Sequence, residues 1–503
     1  MKTQFLLFIL SFGFIFSGLA QESAPEKAVV SRKALRFETS ASGTFNGKNI
    51  DYQVIMSETF IKNGEGEING AMWSTDYIKK GEDSNSRPVM FIFNGGPGSA
   101  SIWLHVGFFG PKVVKVDSEA KKDDGAAPYE FVENNQALLD ITDLVFIDPI
   151  GTGFSKVEGE GKNSEFHGLN EDASSVAQFI RTWITKNNRW QAPKFIAGES
   201  FGTTRAARVA EMLQGGGQTL ALNGIVLISQ ALDYAGSTSD TDNLTSFFTY
   251  LPSMAVTAWY HGKAGAGKTI ETFAQEARDF AYGEYLSALF LAEKQTESQK
   301  EAIADQLAYF TGLDKGYILR SNNQILMSRF KKELLREEGK VIGTLDGRFL
   351  AEETDDVAER PVLGDASSFM TSAAYTAVFN NYLRTDLKVD LDRPYLTSGG
   401  VGSWNWKPVG EGSYWEPNYV STARSLSEVM HRNTALQVMV ANGYYDLITP
   451  YFDAEFTFSR HDFPQDRITM TYYEAGHMMY NRQEDFDALA KDIRSFLEGI
   501  LAK

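Results

Sequence analysis

The stretch Phe195-Ile196-Ala197-Gly198-Glu199-Ser200-Phe201-Gly202-Thr203 decides how this chain is read. Phe195-Ile196-Ala197 is the apolar run of a strand buried on both faces, and residues 203–213 continue with the apolar spacing of a helix. Between them lies the pattern G-x-S-x-G, turning strand into helix within a few residues. On so tight a turn a serine has strained backbone angles. A side chain at position 198 or 202 would collide with the neighbouring strand or helix. The helix N-terminus brings the positive end of a dipole to the place where an alkoxide would develop. Strand, motif and helix in this order single out Ser200 as a candidate nucleophile; the plainer alternative is a serine that only caps the helix.

Outward from this turn the same rhythm repeats. Val89-Met90-Phe91-Ile92-Phe93, Leu144-Val145-Phe146-Ile147, Ile225-Val226-Leu227-Ile228 and Leu436-Gln437-Val438-Met439-Val440 are short and mostly continuous apolar runs, and helical stretches such as 172–185 lie between several of them. Strands alternating with helices predict an α/β fold with a central, mostly parallel sheet. Ahead of it, residues 34–78 alternate apolar and polar side chains and carry turn residues at Asn46-Gly47 and Asn63-Gly64, which predicts an N-terminal antiparallel β-meander. The strand rhythm stops after Ser229 and resumes near Thr434, and the residues between are dominated by helical patterns at 243–260, 269–292, 298–310 and 323–336. The expected organisation is a core in two parts, 33–232 and 393–503, with an inserted helical cap at 233–392 over the strand ends.

The 503 residues are 43% hydrophobic and 22% charged, which supports a large core and excludes a disordered or fibrous chain. Lysine and arginine total 48 against 65 aspartate and glutamate, a net charge of −17, so nucleic acid and anionic membrane surfaces would repel it. There is no cysteine, which removes disulfides, thiolate zinc sites and cysteine nucleophiles together; no metal or cofactor is expected. Residues 1–20 read as a signal peptide: Lys2 is the positive start, residues 5–16 the apolar stretch and Gly18-Leu19-Ala20 the small-residue cleavage site. Residues 21–32 read as a disordered leader. The apolar stretch is too short to span a bilayer, so an exported chain, periplasmic or secreted and without stable membrane insertion, is expected. Gly262-Lys263-Ala264-Gly265-Ala266-Gly267-Lys268-Thr269 fits the pattern of a phosphate-binding loop, but residues 251–260 before it read as a helix where a strand is required. No nucleotide is expected there; Gly265 and Gly267 are expected to form a helix–helix turn.

A nucleophilic serine needs a base, and the base an orienting carboxylate. In α/β-hydrolases they follow in the order serine, acid, histidine, each in a loop after a late strand. The six histidines stand at 105, 167, 261, 431, 461 and 477. Asp446 lies just past the run at 436–440, and His477 just past Ile468-Thr469-Met470-Thr471-Tyr472-Tyr473. The other five histidines lack such a placement, so Asp446 and His477 are the expected partners of Ser200. An oxyanion hole needs two converging backbone N–H groups. Phe201 is expected to supply one, and Gly96, in the loop Asn94-Gly95-Gly96-Pro97-Gly98-Ser99, the other.

With these segments in view, the sequence resembles the serine carboxypeptidases, enzymes of the α/β-hydrolase fold. The resemblance rests on four motifs in order: the loop 94–99, Asp148-Pro149-Ile150-Gly151-Thr152-Gly153-Phe154-Ser155, Gly198-Glu199-Ser200-Phe201-Gly202, and Gly476-His477-Met478. It implies a carboxypeptidase that hydrolyses the C-terminal peptide bond through a Ser200–His477–Asp446 triad and an acyl-enzyme. It also implies that Asn94 and Glu199 hold the substrate's free C-terminal carboxylate, for which Glu199 must be protonated, because two adjacent carboxylates repel. The chain departs from the family at Phe108, where members often carry a second glutamate, and at Ile92, where a tryptophan is common; the family's disulfides are absent. An esterase or acyltransferase would use the same triad, and a catalytically silent binding protein is a third reading. A free-carboxylate substrate needs partners such as Asn94 and Glu199, whereas a simple ester does not. Mass spectrometry of the exported protein is expected to give an N-terminus at or close to Gln21, and a mature chain still beginning at Met1 would contradict the signal-peptide reading.

Overall fold

Asn46 and Gly47 both adopt left-handed backbone angles (φ 49° and 75°), which suits a two-residue turn between β1 (Arg36–Phe45) and β2 (Lys48–Lys62). Strand β2 pairs antiparallel with β3 (Ile68–Lys79) and completes the meander. The computed structural model describes residues 32–120, 126–407 and 419–502; the signal peptide and nearly all of the leader lie outside them. The remaining strands are β4 (Val89–Phe93), β5 (Lys112–Val114), β6 (Phe131–Glu133), β7 (Asp143–Asp148), β8 (Lys156–Val157), β9 (Lys194–Ser200), β10 (Gly224–Gln230), β11 (Lys340–Ile342), β12 (Leu350–Glu352), β13 (Gln437–Gly443) and β14 (Ile468–Tyr473).

Ten strands make one sheet in the order β1-β2-β3-β7-β4-β9-β10-β13-β14, with β8 paired to β3 off that path. From β7 to β14 all neighbours run parallel, while β1, β2 and β3 are antiparallel. This is an α/β-hydrolase fold. Parallel strands are sandwiched between helical layers, which is why their sequences are continuously apolar. In β4, Met90 and Ile92 enter one apolar layer, and Val89, Phe91 and Phe93 the other.

Between β10 and β13 the chain is mostly helical, with helices at Leu244–Tyr260, Ile270–Phe280, Glu297–Thr311 and Ala366–Thr385 among others. One expected helix carries a π-helical turn and another comes out shorter. The 269–292 span is helical from Ile270 to Leu291 with a π-helical turn at Ala281–Tyr285 inside it, and the 323–336 span shrinks to Met327–Glu333, where the left-handed angles at Asn322 and Asn323 keep the helix from starting at 323. The stretch also contains the antiparallel hairpin β11–β12, whose three-residue strands are too short to reveal an alternation in sequence. The glycine-rich segment 262–269 follows the helix Leu244–Tyr260, and Gly265 and Gly267 (φ 62° and 78°) turn the chain into the helix Ile270–Phe280. Among the described residues no helix is long and apolar enough to cross a membrane.

One buried ion pair fixes the layer beneath the G-x-S-x-G turn. Arg205, on the helix Phe201–Gln214, donates to both carboxylate oxygens of Asp172 (2.5 and 3.2 Å) on the helix Leu169–Lys186, and also to the Asn94 carbonyl. Its guanidinium lies between the Phe93 and Phe201 rings, 5.3 and 5.1 Å from their centroids. Removing one partner leaves the other charge buried and alone. Asp172→Ala is therefore expected to cost about 3–5 kcal/mol in urea unfolding, and a loss below about 1 kcal/mol would contradict this account.

Candidate active site

Ser200 ends β9 and precedes the helix at φ 60° and ψ −130°, a left-handed conformation that costs a non-glycine residue on the order of 1–3 kcal/mol. The turn closes because its flanks carry no side chains. A Cβ on Gly198 would lie 2.3 Å from the Gly202 carbonyl oxygen, and one on Gly202 would lie 2.8 Å from that of Phe93. Gly95 presses on the turn from the loop after β4; a Cβ there would stand 2.4 Å from the Phe201 nitrogen. Phe201 opens its helix, so its N–H has no intrahelical acceptor, and the Gly95 backbone lies against it. The loop 94–99 is braced from the second motif. Asp148 accepts hydrogen bonds from the Ser101 N–H (2.9 Å) and hydroxyl (2.8 Å), and Ser155 Oγ donates to the Asp148 carbonyl (2.6 Å).

Asp446 and His477 follow adjacent parallel strands and meet at the same sheet edge. His477 Nδ1 lies 2.7 Å from Asp446 Oδ2, which assigns the proton to Nδ1 and leaves Nε2 with its lone pair. Thr449 Oγ donates to the same carboxylate oxygen (2.7 Å), and the N–H groups of Ile448 and Thr449 donate to the other (2.8 and 3.0 Å). Burial disfavours the imidazolium, but the Asp446 charge and hydrogen bond outweigh it and hold His477 above the usual histidine range. Ser229 Oγ donates to the His477 carbonyl (2.7 Å), and its neighbour Gln230 is the register partner of Ser200, which brings His477 beside the turn. Among the described residues no hydrogen bond joins Ser200 Oγ to His477.

Glu199 is buried directly before Ser200. Asn94 Nδ2 donates to its Oε1 (3.1 Å) and Tyr480 Oη to its Oε2 (2.7 Å), while Asn94 Oδ1 accepts the Leu104 N–H (3.0 Å). Burial pushes the carboxyl up to about 7, against the His477 charge and these two hydrogen bonds, all of which favour ionisation. The Phe108 ring stacks on Tyr480 with centroids 5.8 Å apart. Sequence reasoning did not single out Tyr480 or Thr449. A tyrosine three residues past a histidine reads as core, and only the fold aims its hydroxyl at Glu199. His105 belongs to the core: it stacks on Phe146 at 4.1 Å, bonds Tyr77 Oη at 2.7 Å, and burial lowers its pKa to about 3. His461 bonds Asp233, and His431 bonds the Asp462 carbonyl. Among the described residues no group of three or more histidine, aspartate or glutamate side chains could hold a metal ion.

Residues 76–490 match the model of the serine carboxypeptidase family, and the chain belongs to that family. It is 30% identical to serine carboxypeptidase-like 51 of Arabidopsis thaliana over 146 residues, 28% of this chain and 29% of that protein. With serine carboxypeptidase-like 16 of the same plant it shares 27% identity over 165 residues, 31% of this chain and 36% of that one, so the matches span about a third of these relatives' length. Among solved structures it is similar to the juvenile hormone epoxide hydrolase of the silkworm Bombyx mori (TM-score 0.35, 11% identity, covering 89% of this chain and 79% of that one). Potato (Solanum tuberosum) epoxide hydrolase I is similar to the same degree (TM-score 0.35, 10% identity, 88% and 99%).

The Glu199 environment has a consequence for stability. A carboxyl whose folded-state pKa is about 7 against an ordinary 4.5 keeps its proton where the unfolded chain has lost it. Unfolding free energy therefore falls as pH rises from about 4.5 to about 7, by about 2–3 kcal/mol between pH 5 and pH 8. Glu199→Gln has no proton to lose, so urea unfolding at the two pH values should show that much less pH dependence than the native chain. Equal slopes would mean that Glu199 ionises at an ordinary value.

Proposed function

We propose that this chain is a serine-type carboxypeptidase that removes the C-terminal residue of peptides after its export to the periplasm or outside the cell. The observation that carries the proposal is a buried carboxyl with a pKa near 7, held by Asn94 and Tyr480 and adjacent in sequence to the strained Ser200. A protonated Glu199 and the Asn94 amide are donors suited to a substrate carboxylate in a site with little water, and a simple ester would need neither.

In this reading Ser200 Oγ rotates toward His477 Nε2, gives up its proton there and attacks the scissile carbonyl. Catalytic hydrogen bonds are often open in free enzymes and tighten with substrate. Asp446 holds the imidazole through Nδ1 and stabilises the imidazolium. The N–H groups of Gly96 and Phe201 receive the oxyanion. His477 then protonates the leaving amine, and water, activated by the same histidine, releases the acyl group from Ser200. Glu199 and His477 each act on the other's charge, so their protons come off as a coupled pair; the working form has Glu199 protonated and His477 neutral. Phe108 favours a second reading, esterase or acyltransferase, because the site holds a single carboxyl where the family often has two.

Ser200→Ala and His477→Ala are each expected to lower kcat on the order of 10⁶-fold, and Asp446→Asn on the order of 10⁴-fold, in folded protein. Peptides with a free C-terminus should give a bell-shaped kcat/KM: the acid limb is loss of neutral His477, and the alkaline limb is a rise in KM as Glu199 ionises near 7. Amidated peptides and short esters should show the acid limb alone. Glu199→Gln, still a hydrogen-bond donor, should flatten the alkaline rise in KM. If free-acid peptides and esters follow one pH profile that Glu199→Gln leaves unchanged, the esterase reading replaces this one.

A further inference from the structure

The hairpin β11–β12 is the part of the helical insertion that sequence patterning does not reveal, and its loop, residues 343–349, reaches both of the loops that follow β13 and β14. Four hydrogen bonds make the connection. The Leu447 N–H donates to the Thr344 carbonyl (3.0 Å), and the Gly347 N–H donates to the Tyr445 carbonyl (2.9 Å), so Asp446 is gripped on both sides. The His477 N–H donates to the Leu345 carbonyl (2.6 Å), and the Gly476 N–H donates to Asp346 Oδ2 (2.9 Å). The approach is close enough to exclude a side chain: a Cβ on Gly476 would lie 2.3 Å from the Leu345 carbonyl oxygen and 2.5 Å from Asp346 Cα.

The loop is itself locked. Arg348 Nε spans both Asp346 oxygens (3.1 and 3.2 Å), its Nη2 adds a bond to Oδ2 (2.7 Å), and its backbone N–H donates to Oδ1 (3.0 Å). Both side chains are buried, and Arg348 Nη1 also donates to the Ser118 carbonyl (3.2 Å). Three of the four connecting bonds run between backbones and no substitution can delete them cleanly. Asp346 supplies the fourth, and it is the only side chain in the set.

We propose that the 343–349 loop is the positioning element that fixes the Asp446 and His477 loops relative to each other, with Asp346 as its positioning residue. The inference rests on the Ser200–His477–Asp446 reading above. Without the Asp346 carboxylate the Gly476 N–H loses its acceptor and Arg348 its carboxylate partner, keeping the Ser118 carbonyl, and the imidazole is free to drift from its line toward Ser200. A misplacement of about 1 Å costs on the order of 10²-fold in rate.

The test compares the full chain with Asp346→Ala and Asp346→Asn, following kcat and KM on a short ester, phosphonylation of Ser200 by a fluorophosphonate, and the thermal unfolding midpoint. Asp346→Ala should lose on the order of 10²-fold in kcat and in phosphonylation rate, with KM within about twofold. Asp346→Asn keeps one oxygen for the Gly476 N–H and should recover kcat to within about tenfold of the native chain. A folded Asp346→Ala with native kcat would overturn the proposal. So would failure of both variants to fold, because the loop would then be a folding element and not a positioning one. If the native chain neither turns over nor becomes phosphonylated at Ser200, the triad reading fails instead, and that outcome is distinct from either of these.

Discussion

Ser200 keeps its left-handed backbone because bare backbone surrounds it on three sides. Gly198 and Gly202 meet across the turn, Gly202 meets the end of β4, and Gly95 meets the Phe201 nitrogen, all at separations no Cβ could tolerate. One consequence is geometric: the loop that follows β4 stands against the first N–H of the helix. The other is mechanical. The turn and the loop are not two features placed near each other but one contact, and Arg205 ties them from behind by bonding Asp172 and the Asn94 carbonyl. The strain at one residue is small beside the burial of β4 and of Phe195, Ile196 and Ala197 in β9, so the sheet holds the serine in place.

The electrostatics of the site follow from what is buried beside that contact. A lone carboxyl can be kept protonated near neutrality either by a neighbouring carboxylate or by removal from water. Here the second route operates: Phe108 stacks on Tyr480, Tyr480 bonds Glu199, and burial is the largest cause of the raised pKa. The same burial would depress His477, and it is the Asp446 charge that reverses the effect. The two groups thus move in the same direction for opposite reasons, one because its charged form is desolvated and the other because its charged form is paired. An apolar residue at 108 therefore does not by itself remove the acid character of Glu199.

What the sequence made legible is what depends on local chemistry. The parallel strands show themselves as continuous apolar runs, the meander as an alternation ending at Asn46-Gly47, and the elbow as two glycines flanking a serine between a strand and a helix. Asp446 and His477, which the fold brings into hydrogen-bond contact, each follow a late strand in the sequence. Contacts made across the fold left no such trace. Tyr480 reads as one more aromatic in a hydrophobic segment, and Thr449 as a turn residue. The hairpin β11–β12 has strands of three residues each, below the length at which a period of two can be distinguished from chance. The helix expected at 323–336 begins only at Met327 for a reason visible only in the backbone, the left-handed angles at Asn322 and Asn323.

The mostly helical stretch between β10 and β13 packs directly on the segment that follows β13. Its apolar core, which includes Phe248, Phe273 and Phe330, continues without a break into Tyr445, Leu447 and Phe452 on the segment after β13. Arg278 on the inserted helix Ile270–Phe280 makes a bidentate pair with Glu455 on the helix Tyr451–Arg460, with contacts of 2.7 to 3.0 Å. The Asp446 loop therefore has one side in the sheet and the other in the insertion. A loop of this kind cannot be positioned by the strand that precedes it alone, since the strand fixes only where the chain leaves the sheet. In the reading proposed here, the placement of Asp446 and His477 depends on the 343–349 loop as well. Sequence changes in the 343–349 loop therefore have a direct route to the segments that carry Asp446 and His477, through the four hydrogen bonds that join them.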